Sequence, residues 1–189
     1  MLIVGDYVPD FTVSATSCKN VQLKALKGHQ IVIYFYPKNN TPACIIENQD
    51  FAANYSRFRD QNTIVLGVSR DSLTSHECFK KSHVLPFELI SDQDGNLCNL
   101  FGVLKEKQLF NKPITTVARS TFLINHNGLL IKAWRDVSIK AHVHDVIDYV
   151  EHYHSKITAS LTTALTTAPT TAPITAPTTA PTTALQAGH

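Results

Sequence analysis

The chain has 189 residues, of which 43% are hydrophobic, and its 17 Lys and Arg against 15 Asp and Glu leave a net charge of +2. This balance provides no broad basic surface for a nucleic-acid backbone, so we expect no nucleic-acid partner. The longest apolar runs, such as residues 31–36, are far shorter than the roughly 18 consecutive apolar residues of a membrane-spanning helix, so we expect no membrane span.

The start of the chain and its cysteines indicate a cytoplasmic location. Residues 1–4 (MLIV) run directly into Gly5-Asp6, and we expect no signal peptide there because no apolar run of the required length follows. Four cysteines are too few for a disulfide scaffold in a chain of this size. We therefore interpret them as thiols in a reducing compartment.

Short apolar runs alternate with amphipathic segments up to residue 156, which predicts an α/β domain. In chain order we expect a strand at 31–36, a helix at 42–59, a strand at 63–68, helices at 72–83 and 94–101, strands at 121–125 and 129–134, and a last helix at 142–154. The four strands are expected at the centre of one sheet, and Asn127-Gly128 between the last two is a strong hairpin signal.

The composition changes near Lys156, after which no charged residue occurs. Residues 162–185 are six tetrapeptides (TTAL, TTAP, TTAP, ITAP, TTAP, TTAL) with few large apolar side chains to offset the entropy of ordering, and their prolines oppose a continuous helix. We predict a domain at 1–156 and a disordered, partly polyproline-like tail at 157–189. The tail is interpreted as a neutral repeat expansion, with a glycosylated stalk or a spacer toward a partner as alternatives.

Cys44 is the candidate nucleophile. It lies in the first turn of the predicted helix, which Thr41 caps and Pro42 opens. Unpaired backbone N–H groups and the positive end of the helix dipole favour thiolate over thiol at such a position. A free cysteine is more often a small buried hydrophobe, so the surrounding residues must decide between the two interpretations.

The residues around Cys44 resemble a known signature. Pro37 to Cys44 fits the pattern Pro-x-x-x-Thr-x-x-Cys, which is similar to the active-site signature of peroxiredoxins, and the match continues along the domain in the same order. The further matching segments are Gly5-Asp6-x-x-Pro9-Asp10-Phe11, Tyr34-Phe35-Tyr36-Pro37, Leu66 to His76, Leu85-Pro86-Phe87, Ser91-Asp92, Phe101-Gly102-Val103, Arg119 to Ile124 and Trp134-Arg135. Together they resemble the PrxQ group of peroxiredoxins, also called bacterioferritin comigratory proteins.

The resemblance implies a thioredoxin-like fold, with a central mixed sheet flanked by helices. It implies a peroxidase that reduces hydrogen peroxide and organic hydroperoxides without a metal or other cofactor. Cys44 would become a sulfenic acid, and a thioredoxin-like or glutaredoxin-like donor would restore the thiol. We expect a monomer.

Cleavage of a peroxide bond requires an aligned substrate and stabilisation of negative charge on the departing oxygen. The Thr41 hydroxyl is suited to accept a hydrogen bond from the peroxide, and Arg119 offers donors to both the thiolate and the departing oxygen. Pro37 is expected to shield the sulfur from bulk water. Glu47 matches the family's acid that holds the arginine, with an ordinary helix glutamate as the alternative.

Arg135 is expected to support the structure, with a contact to Glu47 as the alternative. The resolving thiol departs from the pattern of the PrxQ group, because Gln49 occupies the position where many PrxQ members carry the resolving cysteine. Cys78 is the preferred candidate, although it lies two residues short of another subgroup's position, a rotation of roughly 200° on a helix. Resolution by an external thiol without an internal partner is the main alternative, Cys98 is a less favoured candidate, and Cys18 is interpreted as a bystander.

Three alternatives to a peroxidase are a disulfide oxidoreductase, a scaffold without activity and a metal-binding protein. A disulfide oxidoreductase is disfavoured because Thr41 stands where a Cys-x-x-Cys motif has its first cysteine. A degenerate scaffold that displays the tail is the second alternative. The histidines of the 142/144 and 152/154 pairs have i, i+2 spacing and point apart on a helix, so we interpret them as exposed residues and expect no metal site.

Overall fold

The structure is a computed structural model that describes residues 1–17, 19–109 and 112–166. The chain divides into two compact units, residues 1–155 and 156–189. None of the helices in the described ranges has the length and apolar character of a transmembrane segment. Most of the tail predicted to be disordered lies outside the described residues.

Seven strands of the described chain form a central sheet: β1 (Thr12–Ala15), β2 (Lys19–Gln22), β3 (Gln30–Phe35), β4 (Thr63–Ser69), β5 (Glu88–Ser91), β8 (Ser120–Ile124) and β9 (Leu130–Trp134). Their order across the sheet is β2-β1-β5-β4-β3-β8-β9. The strands β3, β4 and β5 run parallel, whereas β1, β2, β8 and β9 pair antiparallel with their neighbours. A separate antiparallel hairpin is formed by β6 (Leu104–Leu109) and β7 (Lys112–Val117).

All four predicted central strands are present, but five further strands of the described chain were missed: β1, β2, β5, β6 and β7. The strands β1 and β2 lie at one edge of the sheet and expose many of their side chains, so they lack a long apolar run. The strand β5 has four residues, which is too short for a periodic pattern to stand out. The hairpin of β6 and β7 is rich in Lys, Gln and Thr and packs as a two-stranded ribbon.

Five α-helices are described: α1 (Pro42–Ala53), α2 (Tyr55–Asp60), α3 (Leu73–Ser82), α4 (Asn96–Phe101) and α5 (His142–Thr166), together with a short 3₁₀ helix at Leu23–Leu26. The single helix predicted at 42–59 is divided at Asn54, whose backbone leaves the helical region with φ −103° and ψ 8° and whose side chain donates to the Asp50 carbonyl. The last helix continues to Thr166 instead of ending at 154. Loss of charge after Lys156 does not end a helix, and the first proline beyond it is Pro169.

The strand β3 is buried on both faces and separates two hydrophobic cores. On one face Ile31, Ile33 and Phe35 pack with residues of α4. On the other face Val32 and Tyr34 pack with side chains of α1, α2, α3 and α5. Because only six residues separate the end of β3 from the start of α1, the first turn of α1 lies at the carboxyl end of this central strand, on the second core.

Candidate active site

Cys44 lies in the first turn of α1, and its side chain is fully buried. Thr41 occupies the N-cap position with an extended backbone, φ −91° and ψ 142°, and the first helical hydrogen bond runs from Ile45 N to Thr41 O at 2.9 Å. The N–H groups of the first turn therefore have no partner within the helix. This is the environment that the sequence predicts for a nucleophilic thiolate.

Thr41 makes no side-chain capping bond to the helix, which differs from the predicted N-cap interaction. Its hydroxyl donates weakly to the Lys38 carbonyl at 3.4 Å, and the side chain is partly exposed. The hydroxyl oxygen is therefore available as an acceptor at the start of α1. Pro37 is partly exposed as well and follows the buried end of β3.

Arg119 reaches Cys44 from the neighbouring strand. It directly precedes β8, which pairs antiparallel with β3 so that Ser120 lies opposite Phe35. The guanidinium Nη2 donates to Cys44 Sγ at 3.4 Å, while Nη1 forms an ion pair with Glu47 Oε2. The structure thus brings together the predicted nucleophile, arginine and acid from two elements that are 72 residues or more apart.

Glu47 lies one turn after Cys44 and is only 1% exposed. Burial raises the pKa of this carboxyl to about 7, because the cost of removing its charge from water exceeds the attraction of Arg119. Its second oxygen, Oε1, is buried and has no hydrogen-bond partner among the described residues. The ion pair with Glu47 therefore fixes the position of the Arg119 guanidinium, but it leaves the other carboxylate oxygen of Glu47 buried without a hydrogen bond, which is unfavourable.

Asn48 is a site residue that the sequence reasoning missed. It is fully buried in α1, where Nδ2 donates to the Cys44 carbonyl at 2.8 Å and Oδ1 accepts from the Tyr34 hydroxyl at 2.6 Å. Gly67 on β4 leaves room for that hydroxyl, since a Cβ there would lie 2.7 Å from it. These contacts fasten the first turn of α1 to β3. The sequence around Asn48 does not indicate this role, because its partner Tyr34 lies on a different element.

Arg135 takes part in a different region. Its guanidinium donates to the Leu2 carbonyl at 2.7 Å and to the Phe101 carbonyl at 2.8 Å, and it lies over the Phe122 ring at 4.9 Å. These contacts tie the start of the chain to α4. Glu47, the alternative partner considered from the sequence, pairs with Arg119 instead.

The two candidate resolving cysteines differ in position. Cys78 is exposed on α3, a helix whose buried side packs on the same core as Cys44. Cys98 is fully buried in α4 on the opposite core, where burial and a hydrogen bond with Asp92 raise its pKa far above the ordinary range. Both are free thiols, as is Cys44, and Cys18 lies outside the described residues.

His142 contradicts the interpretation of the helix histidines as exposed. It is 3% exposed, with Nε2 at 2.7 Å from Thr121 Oγ1, and burial lowers its pKa to about 4. His144 is exposed two residues later, because the i, i+2 spacing turns it to the other side of the helix. The hydrogen bond between His142 Nε2 and Thr121 Oγ1 on β8 gives the buried imidazole a polar partner.

Comparison with known proteins shows the family to which the chain belongs. Residues 4–133 match the AhpC/TSA family, which is more than half of the chain. Among similar proteins, peroxiredoxin Bcp of Bacillus subtilis is 40% identical over 144 residues, which span 76% of this chain and 92% of that protein. Peroxiredoxin Bcp of Xanthomonas campestris is 41% identical over 138 residues, which span 73% of this chain and 86% of that protein.

Solved structures give the same result for the fold. The bacterioferritin comigratory protein of Xanthomonas campestris, a structure concerned with alkyl peroxide reduction activity, has a TM-score of 0.73 at 38% identity and covers 76% of this chain and 92% of its own. PrxQ of Xylella fastidiosa has a TM-score of 0.77 at 32% identity and covers 81% and 98%. The predicted mixed sheet in a thioredoxin-like fold is confirmed, and the chain belongs to the AhpC/TSA family as a Bcp or PrxQ peroxiredoxin, a thiol peroxidase.

Proposed function

We propose that Cys44 is the peroxidatic cysteine, with Thr41, Pro37 and Arg119 forming the site where the peroxide binds. The observation that carries this assignment is the hydrogen bond from Arg119 Nη2 to Cys44 Sγ at 3.4 Å. The guanidinium donates to the sulfur with one nitrogen and has further N–H donors for a second acceptor nearby. The proposed substrates are hydrogen peroxide and organic hydroperoxides.

The proposed oxidation transfers one oxygen atom to sulfur. The Cys44 thiolate attacks the terminal oxygen of ROOH, the S–O bond forms as the O–O bond breaks, and the electron pair leaves on the RO⁻ group, which takes a proton to become ROH. The cysteine is oxidised to a sulfenic acid and the peroxide is reduced to an alcohol or water. Arg119 stabilises the charge that develops on the departing oxygen, and the Thr41 hydroxyl oxygen orients the peroxide by accepting a hydrogen bond from its O–H group.

For the second step we propose Cys78 as the resolving cysteine. Its thiol condenses with the Cys44 sulfenic acid, forming an S–S bond and releasing water. Because Cys44 is buried and Cys78 is exposed, this step requires movement of α1 or α3. Resolution by an external thiol is the alternative, and it requires exposure of Cys44 as well.

A thioredoxin-like or glutaredoxin-like dithiol is the proposed reductant, because thiol–disulfide exchange restores both cysteines without a cofactor. We infer a monomer in the cytoplasm. The free thiols of Cys44, Cys78 and Cys98 suit a reducing compartment.

The assignment of the nucleophile is tested by peroxide consumption with a thioredoxin system as donor. We expect C44S to abolish turnover, C78S to slow it while still reacting once with peroxide, and C98A to retain it. Dimedone labelling after one equivalent of peroxide should mark Cys44 in C78S. Retained turnover in C44S, or a label on another cysteine, would remove the assignment.

A further inference from the structure

The loop from Pro37 to Thr41, which joins β3 to α1, is anchored by one inward-facing side chain. Asn39 is 3% exposed, although its neighbours Lys38 and Asn40 are exposed. Its backbone N–H donates to Asp71 Oδ2, in the turn that follows β4, at 2.7 Å. The loop that carries two of the proposed site residues is thus tied to the interior at its centre.

The polar atoms of the Asn39 side chain all have partners. Oδ1 accepts from the Tyr36 hydroxyl at 2.8 Å, and Nδ2 donates to Ser75 Oγ at 3.0 Å. The same Nδ2 lies 3.3 Å from His76 Nδ1, and both side chains are buried. Because Ser75 and His76 belong to the first turns of α3, the loop is attached to that helix.

These contacts fix the protonation of the imidazole. An amide nitrogen only donates, so Nδ1 of His76 is the acceptor and the ring carries its proton on Nε2. Nε2 lies 3.3 Å from Ser69 Oγ, which itself donates to Asp71 Oδ2 at 2.7 Å. The neutral ring is therefore required for the hydrogen bond from Asn39.

We propose that Asn39 and His76 are positioning residues of the peroxidase, which hold the loop so that Pro37 and Thr41 lie correctly about the Cys44 sulfur during attack on the peroxide. The inference rests on the proposed roles of Cys44 and Thr41. Thr41 is two residues from Asn39 and also forms the N-cap of α1, so a displaced loop moves the peroxide acceptor relative to the sulfur. A misplacement of about 1 Å in such a site lowers a rate by roughly a hundredfold.

Acid is expected to weaken this anchor. The charged and titratable groups that face His76 are Asp71 after β4, Glu77 on α3 and the hydroxyl of Tyr36, the residue that follows β3. Burial lowers the pKa of His76 and outweighs the opposing attraction of Asp71. Protonation would place an N–H on Nδ1, directed at the Asn39 amide donors.

The test uses N39D in the full chain and follows oxidation of Cys44 by hydrogen peroxide in rapid-quench samples. The substitution keeps an acceptor for Tyr36 but removes the donor to His76, so we expect oxidation about tenfold slower or more at pH 7.5. A protonated His76 supplies the missing donor to the new carboxylate. The ratio of the N39D rate to the wild-type rate should therefore rise at least about fivefold between pH 7.5 and 5.5.

N40D is the matched control, because it adds the same charge one residue along the loop at an exposed position. Its ratio to the wild-type rate should stay flat over the same pH range. A flat or falling ratio for N39D, or a wild-type rate for N39D at pH 7.5, would overturn the proposal. Slow oxidation of Cys44 in the wild-type chain would instead contradict the proposed function.

If N39D does not fold, as judged by circular dichroism, a pair of substitutions at His76 decides the question. H76N keeps an acceptor near the position of Nδ1, whereas H76L removes it. We expect H76N to oxidise at least about fivefold faster than H76L under matched conditions. Equal rates in two folded variants would contradict a positioning role.

Discussion

Arg119 reaches the site because the residue before β8 lies beside the carboxyl end of β3, where α1 begins. Its guanidinium contacts Cys44 with one nitrogen and Glu47 with the other. The side chain is 12% exposed, so its charge acts through little intervening water. At the scale of single residues, this contact is the main electrostatic element of the proposed peroxidase site.

Replacement of Arg119 tests its part in the oxidation step. In R119M the leaving oxygen loses its charged donor, and we expect the second-order rate constant with hydrogen peroxide to fall about 100-fold to 1,000-fold. Stopped-flow or quench-flow oxidation of Cys44 measures it. R119K keeps the charge without the planar pair of donors, so its rate constant should lie between those of wild type and R119M. An unchanged rate in R119M would exclude the proposed role.

Glu47 gives a pH-dependent prediction for stability. Its pKa is raised to about 7 in the folded protein from 4.5, so the folded state binds the proton more tightly and loses stability as pH rises from about 4.5 to 7. E47Q removes this loss. We expect the free energy of unfolding of E47Q, relative to wild type, to increase between pH 4.5 and 8 by on the order of 3 kcal/mol.

Urea unfolding of both proteins at several pH values measures the difference in their free energies of unfolding. Titratable groups that the two proteins share contribute equally to both and cancel in this difference. D50N is a control on the partly buried neighbour in the same helix. A difference between E47Q and wild type that does not change with pH would contradict the raised pKa.

At the scale of elements, the sheet separates the two candidate resolving cysteines. Cys98 on α4 belongs to the core across the sheet from Cys44, whereas α3 packs on the same core as Cys44. A disulfide requires Cα atoms within about 7 Å. A Cys44–Cys98 bond would have to form across the sheet, whereas a Cys44–Cys78 bond would form between two helices on the same side of it.

We therefore expect one equivalent of peroxide to produce a Cys44–Cys78 disulfide. Nonreducing peptide mapping by mass spectrometry identifies the link, with C98A as a control that should yield the same product. A Cys44–Cys98 link would show that the sheet opens during turnover. A persistent sulfenic acid on Cys44 would favour resolution by an external thiol.

Elements with local signals were predictable from the sequence, whereas those that depend on distant partners were not. The start of α1 at Pro42 and the hairpin of β8 and β9 are encoded by short segments, and both were predicted. The strand β5 has only four residues and is recognised by its pairing with β4. Asn39 and Asn48 could not be assigned roles, because their partners come from other elements of the fold.

At the scale of the whole molecule, buried neutral histidines limit stability in acid. His142 connects the start of α5 to Thr121 on β8, and its pKa is lowered to about 4 from 6.5. The unfolded chain takes up this proton at a higher pH than the folded protein does. Stability is therefore lost as pH falls from about 6.5 toward 4.

H142Q tests this contribution, since the amide can contact Thr121 but does not titrate. Relative to H142Q, we expect wild type to lose about 2 to 3 kcal/mol of unfolding free energy between pH 7 and 4. Denaturant titrations at the two pH values measure this loss, and H144Q, at an exposed position on the same helix, is the control. A parallel pH dependence of wild type and H142Q would be inconsistent with a buried neutral His142.

The most direct test of the catalytic assignment is the rate at which Cys44 in the full wild-type chain reacts with hydrogen peroxide, followed by quench-flow and mass spectrometry. Alignment and charge stabilisation in the site predict a rate constant on the order of 1,000 times that of free cysteine at the same pH, or more, with the first oxygen on Cys44. A rate equal to that of free cysteine, or first oxidation at Cys78, would contradict it.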